Sequence, residues 1–333
     1  MKVLVVSQAE IERLLPMAEC VSAMAEALAA LARGDALLPL RQVLKLPGGV
    51  FAVMPATLGA PPAVGVKAIT AFPANHGTEL DAHQGAVLLF EGGRGRLLAV
   101  MDATAITAIR TAAVSAVATS RLAREDAGDL AILGSGVQAR THLEAMLLAR
   151  RVRRVRVFGR DPARVRAFVA RAAERHLREV QAAATAREAV EGADIVCTVT
   201  SSPEPVLRGE WLAPGAHVNA VGACLPTLRE LDTAAVVRSR LFVDRRESAF
   251  SEAGDLLIPI REGAVAHSHV LAELGEVLIG RHPGRSSGEE VTLFKSLGLA
   301  VEDVASAQVV YRNAEGSGGG TWVELGGARH EPA

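Results

Sequence analysis

Aromatic side chains make up only 3% of the 333 residues, with two tryptophans and one tyrosine, and the formal charge is −1. A chain so poor in stacking platforms and so balanced in charge lacks the basic, base-stacking surface that nucleic acids require. Its densest basic run, Arg150-Arg151-Val152-Arg153-Arg154, reads as a solvated loop. Long uncharged apolar stretches are missing too. The mean hydropathy of +0.25 reflects abundant alanine, and no run has the length and apolarity to span a bilayer. The apolar start, Met1 to Val6, meets Ser7, Gln8 and Glu10 too early for a signal peptide. Cysteine is scarce: Cys20, Cys197 and Cys224 are odd in number and lack metal-site spacing, which excludes a disulfide framework. These absences predict a cytoplasmic protein in a reducing compartment, without nucleic-acid or membrane partners.

What is present is length and pattern. The chain is long for one domain, so two lobes are expected. A short strand at Val3 to Val6 precedes an alanine-rich helical pattern from about Glu10 to Ala32. Apolar runs at 43–46, 50–54, 64–69, 86–90 and 97–101, punctuated by Gly, Pro and Asn, predict an open α+β sheet. After a helical run at 104–122, strands (130–133, 155–158, 195–200, 217–221, 241–243) alternate with helices (137–148, 162–175, 185–191), as in a parallel α/β sheet. Residues 271–312 read as helical again, and Gly316 to Gly320 as a flexible loop. No internal repeat is evident.

The chemistry begins at Asp129-Leu-Ala-Ile-Leu-Gly-Ser-Gly-Val-Gln-Ala-Arg140. Gly134 permits a tight turn after a strand, Gly136 lets a pyrophosphate approach the backbone, and Ala139 allows close helix packing. The phosphates would sit on the helix N-terminus. The next strand ends Phe158-Gly159-Arg160-Asp161. An arginine there suits a 2′-phosphate and argues for NADP(H), while Asp161 beside it leaves NAD(H) open. Thr198 and Thr200 end the following strand, where they either face the dinucleotide or serve as ordinary β-branched strand residues. Lys67, inside the otherwise apolar Val64-Gly-Val-Lys-Ala-Ile69, is costly to bury without a partner or a task.

Val87 to Glu91, Leu97 to Asp102, Thr107 to Ala113, the glycine turn, Gly209 to Gly222, Arg229 to Asp232, Glu273 to Glu276 and Thr292 to Ala300 resemble, taken together, the ornithine cyclodeaminase and μ-crystallin family, most closely its μ-crystallin branch. The resemblance implies a Rossmann-type doubly wound parallel sheet over 116–300. It also implies an α+β substrate-binding and dimerisation domain over 1–115, completed by 301–333, in a homodimer. Lys67 is implied as proton donor or carboxylate partner at the reacting carbon, and Arg41 and Arg110 as a bidentate carboxylate clamp. Arg41 also reads as an ordinary loop arginine. Met54, Cys224, Glu252 and Leu297 are implied as pocket residues. Glu252 either orients the imine nitrogen or a water, or is a solvated carboxylate at a helix start. His83, Arg110, Val137, Gln138, Val221, Ser296 and Gly298 are implied beside the dinucleotide, His83 reading equally as a loop histidine. Cys224 stands where cyclodeaminases of the family carry an aspartate that handles the substrate's distal amine. His267 and His269 lack a third ligand, so no metal is expected.

The expected activity is therefore NAD(P)H-dependent reduction of small cyclic ketimines bearing a carboxylate. A cyclodeaminase or alanine-dehydrogenase-type enzyme using NAD is the alternative within the family. A third reading is an NADP(H)-dependent protein that sequesters a small ligand.

Overall fold

Pro16 divides what the N-terminal pattern predicts as a single helix. In the computed structural model, which describes residues 1–75, 77–176 and 179–326, this segment forms two helices, Gln8–Leu14 and Met17–Arg33. Leu15, at φ −120° and ψ 72°, lies outside the helical region because the proline ring crowds the residue before it. The second helix stops at Gly34, φ 87°, in the left-handed conformation that a residue without Cβ adopts readily.

The chain divides into two units, Met1–Arg110 with Leu299–Ala333, and Thr111–Gly298. In the first, an eight-stranded sheet runs in the order Thr321–Glu324, Lys2–Val6, Leu97–Asp102, His83–Glu91, Pro62–Ala71, Gly49–Gly59, Ala36–Leu37, with Gln42–Leu46 also paired to Gly49–Gly59. Lys2–Val6 and Leu97–Asp102 are parallel, and the central strands are antiparallel. Alternation puts Ala52, Met54, Ala56 and Leu58 inward on one strand and Ala63, Lys67 and Ile69 on its neighbour. Helix Ala300–Ser317 packs against this face so closely that a Cβ on Gly65 would lie 2.7 Å from Val304 Cγ2.

In the second unit eight strands are all parallel, in the order Val180–Ala182, Arg154–Phe158, Asp129–Leu133, Ile195–Thr198, His217–Ala220, Val291–Lys295, Ser239–Val243, Val270–Glu273. The chain winds outward in one direction from Asp129–Leu133 and then returns to build the other side from Ile195–Thr198. Such a reversal opens a crevice at the carboxyl ends of the strands, and the turn at Gly134 lies there.

Two further expectations fail. The 271–312 stretch is not simply helical, because Val270–Glu273 and Val291–Lys295 are strands that precede helix Ala300–Ser317. Val291–Lys295 is buried throughout, so its sequence has no alternation from which a strand could be recognised. The glycine cluster near the end is not a flexible loop either. Gly316 and Ser317 still belong to the helix, Gly318 (φ 73°) caps it, and Gly320 (φ 78°) turns the chain into Thr321–Glu324, which pairs with Lys2–Val6.

Candidate functional site

Lys67 points into the apolar face of the first unit with only 2% of its surface exposed. Its Nζ donates to Asp303 Oδ1 at 2.9 Å, lies 2.8 Å from Oδ2, and reaches Thr107 Oγ1 at 3.4 Å. Arg110, equally buried, donates from Nε to Asp303 Oδ1 at 3.0 Å and from Nη1 to Glu302 Oε2 at 2.7 Å. Two buried cations thus face two buried carboxylates, an arrangement that offsets much of each group's desolvation penalty. Burial, and then the Arg110 charge, push Lys67 down to about 8 against the pull of Asp303, with Arg41 adding to the fall. Burial raises Asp303, but Arg110 and Lys67 more than reverse this and hold it ionised. Arg110 is held protonated by Asp303 and Glu302 despite its own burial.

Met54 sits directly across from Lys67 in the strand register. His83 is half-buried at the start of the neighbouring strand, and burial together with the Lys67 and Arg110 charges pushes it down to about 4, so its ring is neutral at physiological pH. Arg41 is half-buried in the segment before Gln42–Leu46. Sequence reasoning singled out Lys67, Arg41, Arg110, Met54 and His83 but not Asp303 and Glu302, with which Lys67 and Arg110 pair. The signal was available: a Glu-Asp pair in Ala300-Val-Glu-Asp-Val-Ala305 poses the same burial problem as a lysine in an apolar strand.

In the second unit Gly134 adopts φ 130°, and a Cβ there would meet Val199 O at 2.7 Å, so only glycine fits. Gly136 differs. It caps helix Val137–Ala149, and a Cβ on it would have nothing within 4 Å. Ala139 is fully buried, as the motif requires. Gln138 Oε1 is buried with no hydrogen-bond partner among the described residues. An open backbone at a helix N-terminus suits a dinucleotide pyrophosphate. A cavity of about 420 Å³ beside the turn is lined by Arg140, Arg171 and Arg175, adding positive charge there. Gly136→Ala should therefore leave folding almost unchanged yet weaken dinucleotide binding about tenfold, roughly 1.4 kcal/mol. Fluorescence titration checks this, and an unaltered Kd would show that the open space is not a phosphate cradle.

Arg160 follows strand Arg154–Phe158 and is exposed, with no ion-pair partner among the described residues. Asp161 accepts from the backbone N–H groups of Ala163 (2.9 Å) and Arg164 (3.3 Å), so it caps helix Pro162–His176. The hydroxyls of Thr198 and Thr200, read either as facing a dinucleotide or as ordinary strand residues, both turn to Glu230. Thr198 Oγ1 donates to Glu230 Oε2 at 2.9 Å and Thr200 Oγ1 to Oε1 at 2.7 Å. Glu230 also accepts from the N–H groups of Thr200 (2.6 Å) and Gly222 (2.7 Å), bracing two neighbouring strand ends with one buried carboxylate. Val221 is buried and its N–H bonds Thr198 O at 3.0 Å.

Asp244 Oδ2 accepts from the N–H of Leu297 (2.5 Å) and Gly298 (2.8 Å), and Gly298 adopts φ 78°. Ser296 Oγ is buried without a hydrogen-bond partner among the described residues. Cys224 is half-buried and its Sγ donates to Val221 O at 3.4 Å, as a small lining residue would. Glu252 is neither solvated nor at a helix start: it is half-buried and ends helix Arg246–Glu252. Val137, by contrast, is 53% exposed at the first helical position. No group of three or more potential metal ligands occurs among the described residues.

Residues 1–318 match the model of the ornithine cyclodeaminase/mu-crystallin family. The chain is similar to the ketimine reductase mu-crystallin of Mus musculus, 41% identical over 84% of this chain and 85% of the relative. It is also similar to the Delta(1)-pyrroline-2-carboxylate reductase of Bacillus cereus, 35% identical over 97% of this chain and 100% of the relative. Among solved structures, that of Thermococcus litoralis Delta(1)-pyrroline-2-carboxylate reductase in complex with NADH and L-proline superposes with a TM-score of 0.93. It is 37% identical and covers 96% of this chain and 99% of that one.

Proposed function

Because the chain belongs to the ornithine cyclodeaminase/mu-crystallin family, we propose that it is a nicotinamide-dependent reductase of small cyclic ketimines that bear a carboxylate, of the pyrroline- and piperideine-2-carboxylate type. The observation that carries this reading is Lys67, buried and charged beside Arg110 in a cluster whose cations and carboxylates balance. Such a site, with Arg41 acting on Lys67 as a further cation, accepts the carboxylate of an imine whose nitrogen Lys67 then protonates, without leaving an unpaired buried charge.

Arg110 commits its Nε hydrogen and one on Nη1 to Asp303 and Glu302, so the remaining Nη1 and Nη2 hydrogens are the donors for a substrate carboxylate, with Arg41 as the second fork. Lys67 holds a proton for the imine nitrogen. Met54 supplies apolar surface, and the neutral His83 adds no charge beside Lys67. Gly134, Gly136, Val137 and Gln138 would hold the dinucleotide, which when bound supplies the hydride. Cys224 offers no carboxylate for a second amine, which weighs against cyclodeamination.

NADP(H) is the preferred cofactor in this reading, with NAD(H) second, because Asp161 is committed to its helix cap while Arg160 is exposed and can grip a 2′-phosphate. A homodimer is also proposed. Val43, Leu44 and Leu46 on strand Gln42–Leu46 are 40 to 63% exposed, an apolar edge that a second copy would cover.

The test is oxidation of NADPH and NADH with the five- and six-membered cyclic imino acids, alongside ornithine and alanine as competing substrates. Imine reduction with NADPH preferred is expected, and Arg160→Ser should erase about tenfold or more of that preference. Turnover of ornithine to proline without added reductant, and none of the imines, would overturn the proposal.

A further inference from the structure

Helix Ala300–Ser317 carries a single carboxylate to both cations of the cluster, and on the reductase reading above this has a consequence for the reaction itself. We infer that Asp303 is the positioning residue for proton delivery: it fixes Lys67 Nζ and Arg110 Nε on one carboxylate and keeps the lysine's proton available to the substrate nitrogen.

The geometry leaves Lys67 little choice. Strand Gly49–Gly59 faces it with Met54 and strand His83–Glu91 with Val87, both apolar. Charge reaches it from Arg110, which Glu302 pairs, from Arg41, and from Asp303, whose Oδ1 and Oδ2 stand 2.9 and 2.8 Å from Nζ. Thr107 and the neutral His83 complete its polar surroundings. Without Asp303, a fully buried ammonium would face the Arg110 guanidinium with no counter-ion of its own, and like charge together with desolvation expels a proton. The shared oxygen matters as well. Asp303 Oδ1 accepts from both Nζ and Nε, so the lysine and the arginine are held at a set separation.

Imine reduction forms a C–H bond with a hydride, for which the reduced nicotinamide is oxidised, and an N–H bond with a proton. Lys67 supplies that proton as its ammonium becomes a neutral amine, and solvent restores it between turnovers. Asp303 keeps its charge throughout and touches neither reacting atom.

The experiment is the pH dependence of kcat and of both KM values for the wild type, Asp303→Asn and Asp303→Glu, using a cyclic imino acid and NADPH. In the wild type, kcat/KM for the imine should fall above about pH 8. Asp303→Asn should move that limb down by about one to three pH units and lower kcat at pH 7 by about two- to 100-fold accordingly, with the NADPH KM unchanged. Asp303→Glu keeps the charge but displaces it, so the limb should stay in place while kcat falls. A limb that does not move in Asp303→Asn would reduce Asp303 to a structural ion pair and overturn the inference. If Asp303→Asn does not fold, 13C NMR titration of the Lys67 Cε in the wild type and Asp303→Glu decides, a shared titration near pH 8 supporting the inference and an ordinary lysine value overturning it. The same NMR titration, comparing wild type with Asp303→Asn, separates the two proposals should no imine be turned over. The reductase reading then fails, while the hold of Asp303 on the Lys67 proton stands or falls by itself.

Discussion

Lys67→Met lowers kcat for imine reduction by about 10³- to 10⁴-fold while dinucleotide affinity stays at its wild-type value. General acid catalysis by one placed group contributes about 10²- to 10⁴-fold, and the upper range applies because, among the described residues, Thr107 is the hydroxyl donor that reaches Lys67. Methionine keeps most of the side-chain volume, so strand Pro62–Ala71 has no cavity to collapse into. What it removes is one of two cations opposite Asp303 and Glu302, which leaves the cluster net negative and less receptive to a carboxylate substrate. The imine KM therefore rises together with the loss in kcat. Stopped-flow NADPH oxidation and a fluorescence titration of NADPH binding separate the two effects. A kcat within tenfold of the wild type would remove Lys67 from the chemistry.

The pH dependence follows with a definite sign. Lys67 is depressed from 10.5 to about 8 in the folded protein, so it carries its proton below pH 8 and loses donor function above it. Stability runs the other way. The penalty for burying the charged lysine is present in full below pH 8 and fades as pH rises toward 10.5, where the unfolded chain also gives up the proton.

Arg110→Met has the largest expected effect on stability, about 3 to 5 kcal/mol, the range for removing one partner of a buried ion pair. The residue is 4% exposed, and its loss leaves Glu302, itself 0% exposed, without that counter-ion and Asp303 with Lys67 alone. Urea denaturation of the wild type, Arg110→Met and the double variant Arg110→Met, Glu302→Gln measures it. The double variant should recover a substantial part of the loss, since neutralising the abandoned carboxylate removes its desolvation penalty. A single-variant loss under about 1 kcal/mol would mean that the cluster is far better hydrated than its burial indicates.

Local chemistry made parts of this protein legible from the chain. Gly134 is demanded by a turn that no other residue can make, and its φ of 130° bears that out. The strands of the first unit were readable because a sheet covered on one face alternates with period two, as Ala52, Met54, Ala56 and Leu58 do. Pro16 breaks the helix although the apolar periodicity continues on both sides of it. Val291–Lys295 was not readable as a strand, because a segment buried on both faces carries no alternation.

The partners of buried polar groups are another matter. Lys67 announced by composition alone that it needed one, yet its counter-ion lies 236 positions away. Thr198 and Thr200 were legible as strand-end hydroxyls, but their direction depends on Glu230, 32 and 30 residues further on. Sequence by itself determined which residues could not be left unpaired, because burial cost and backbone sterics are properties of a residue and its near neighbours. Only the tertiary structure decided what pairs with what, because that depends on how helix Ala300–Ser317 meets the sheet at Lys67 and how neighbouring strand ends meet at Glu230. Electrostatic pairing acts over a few ångströms of space, and distance along the chain does not encode it.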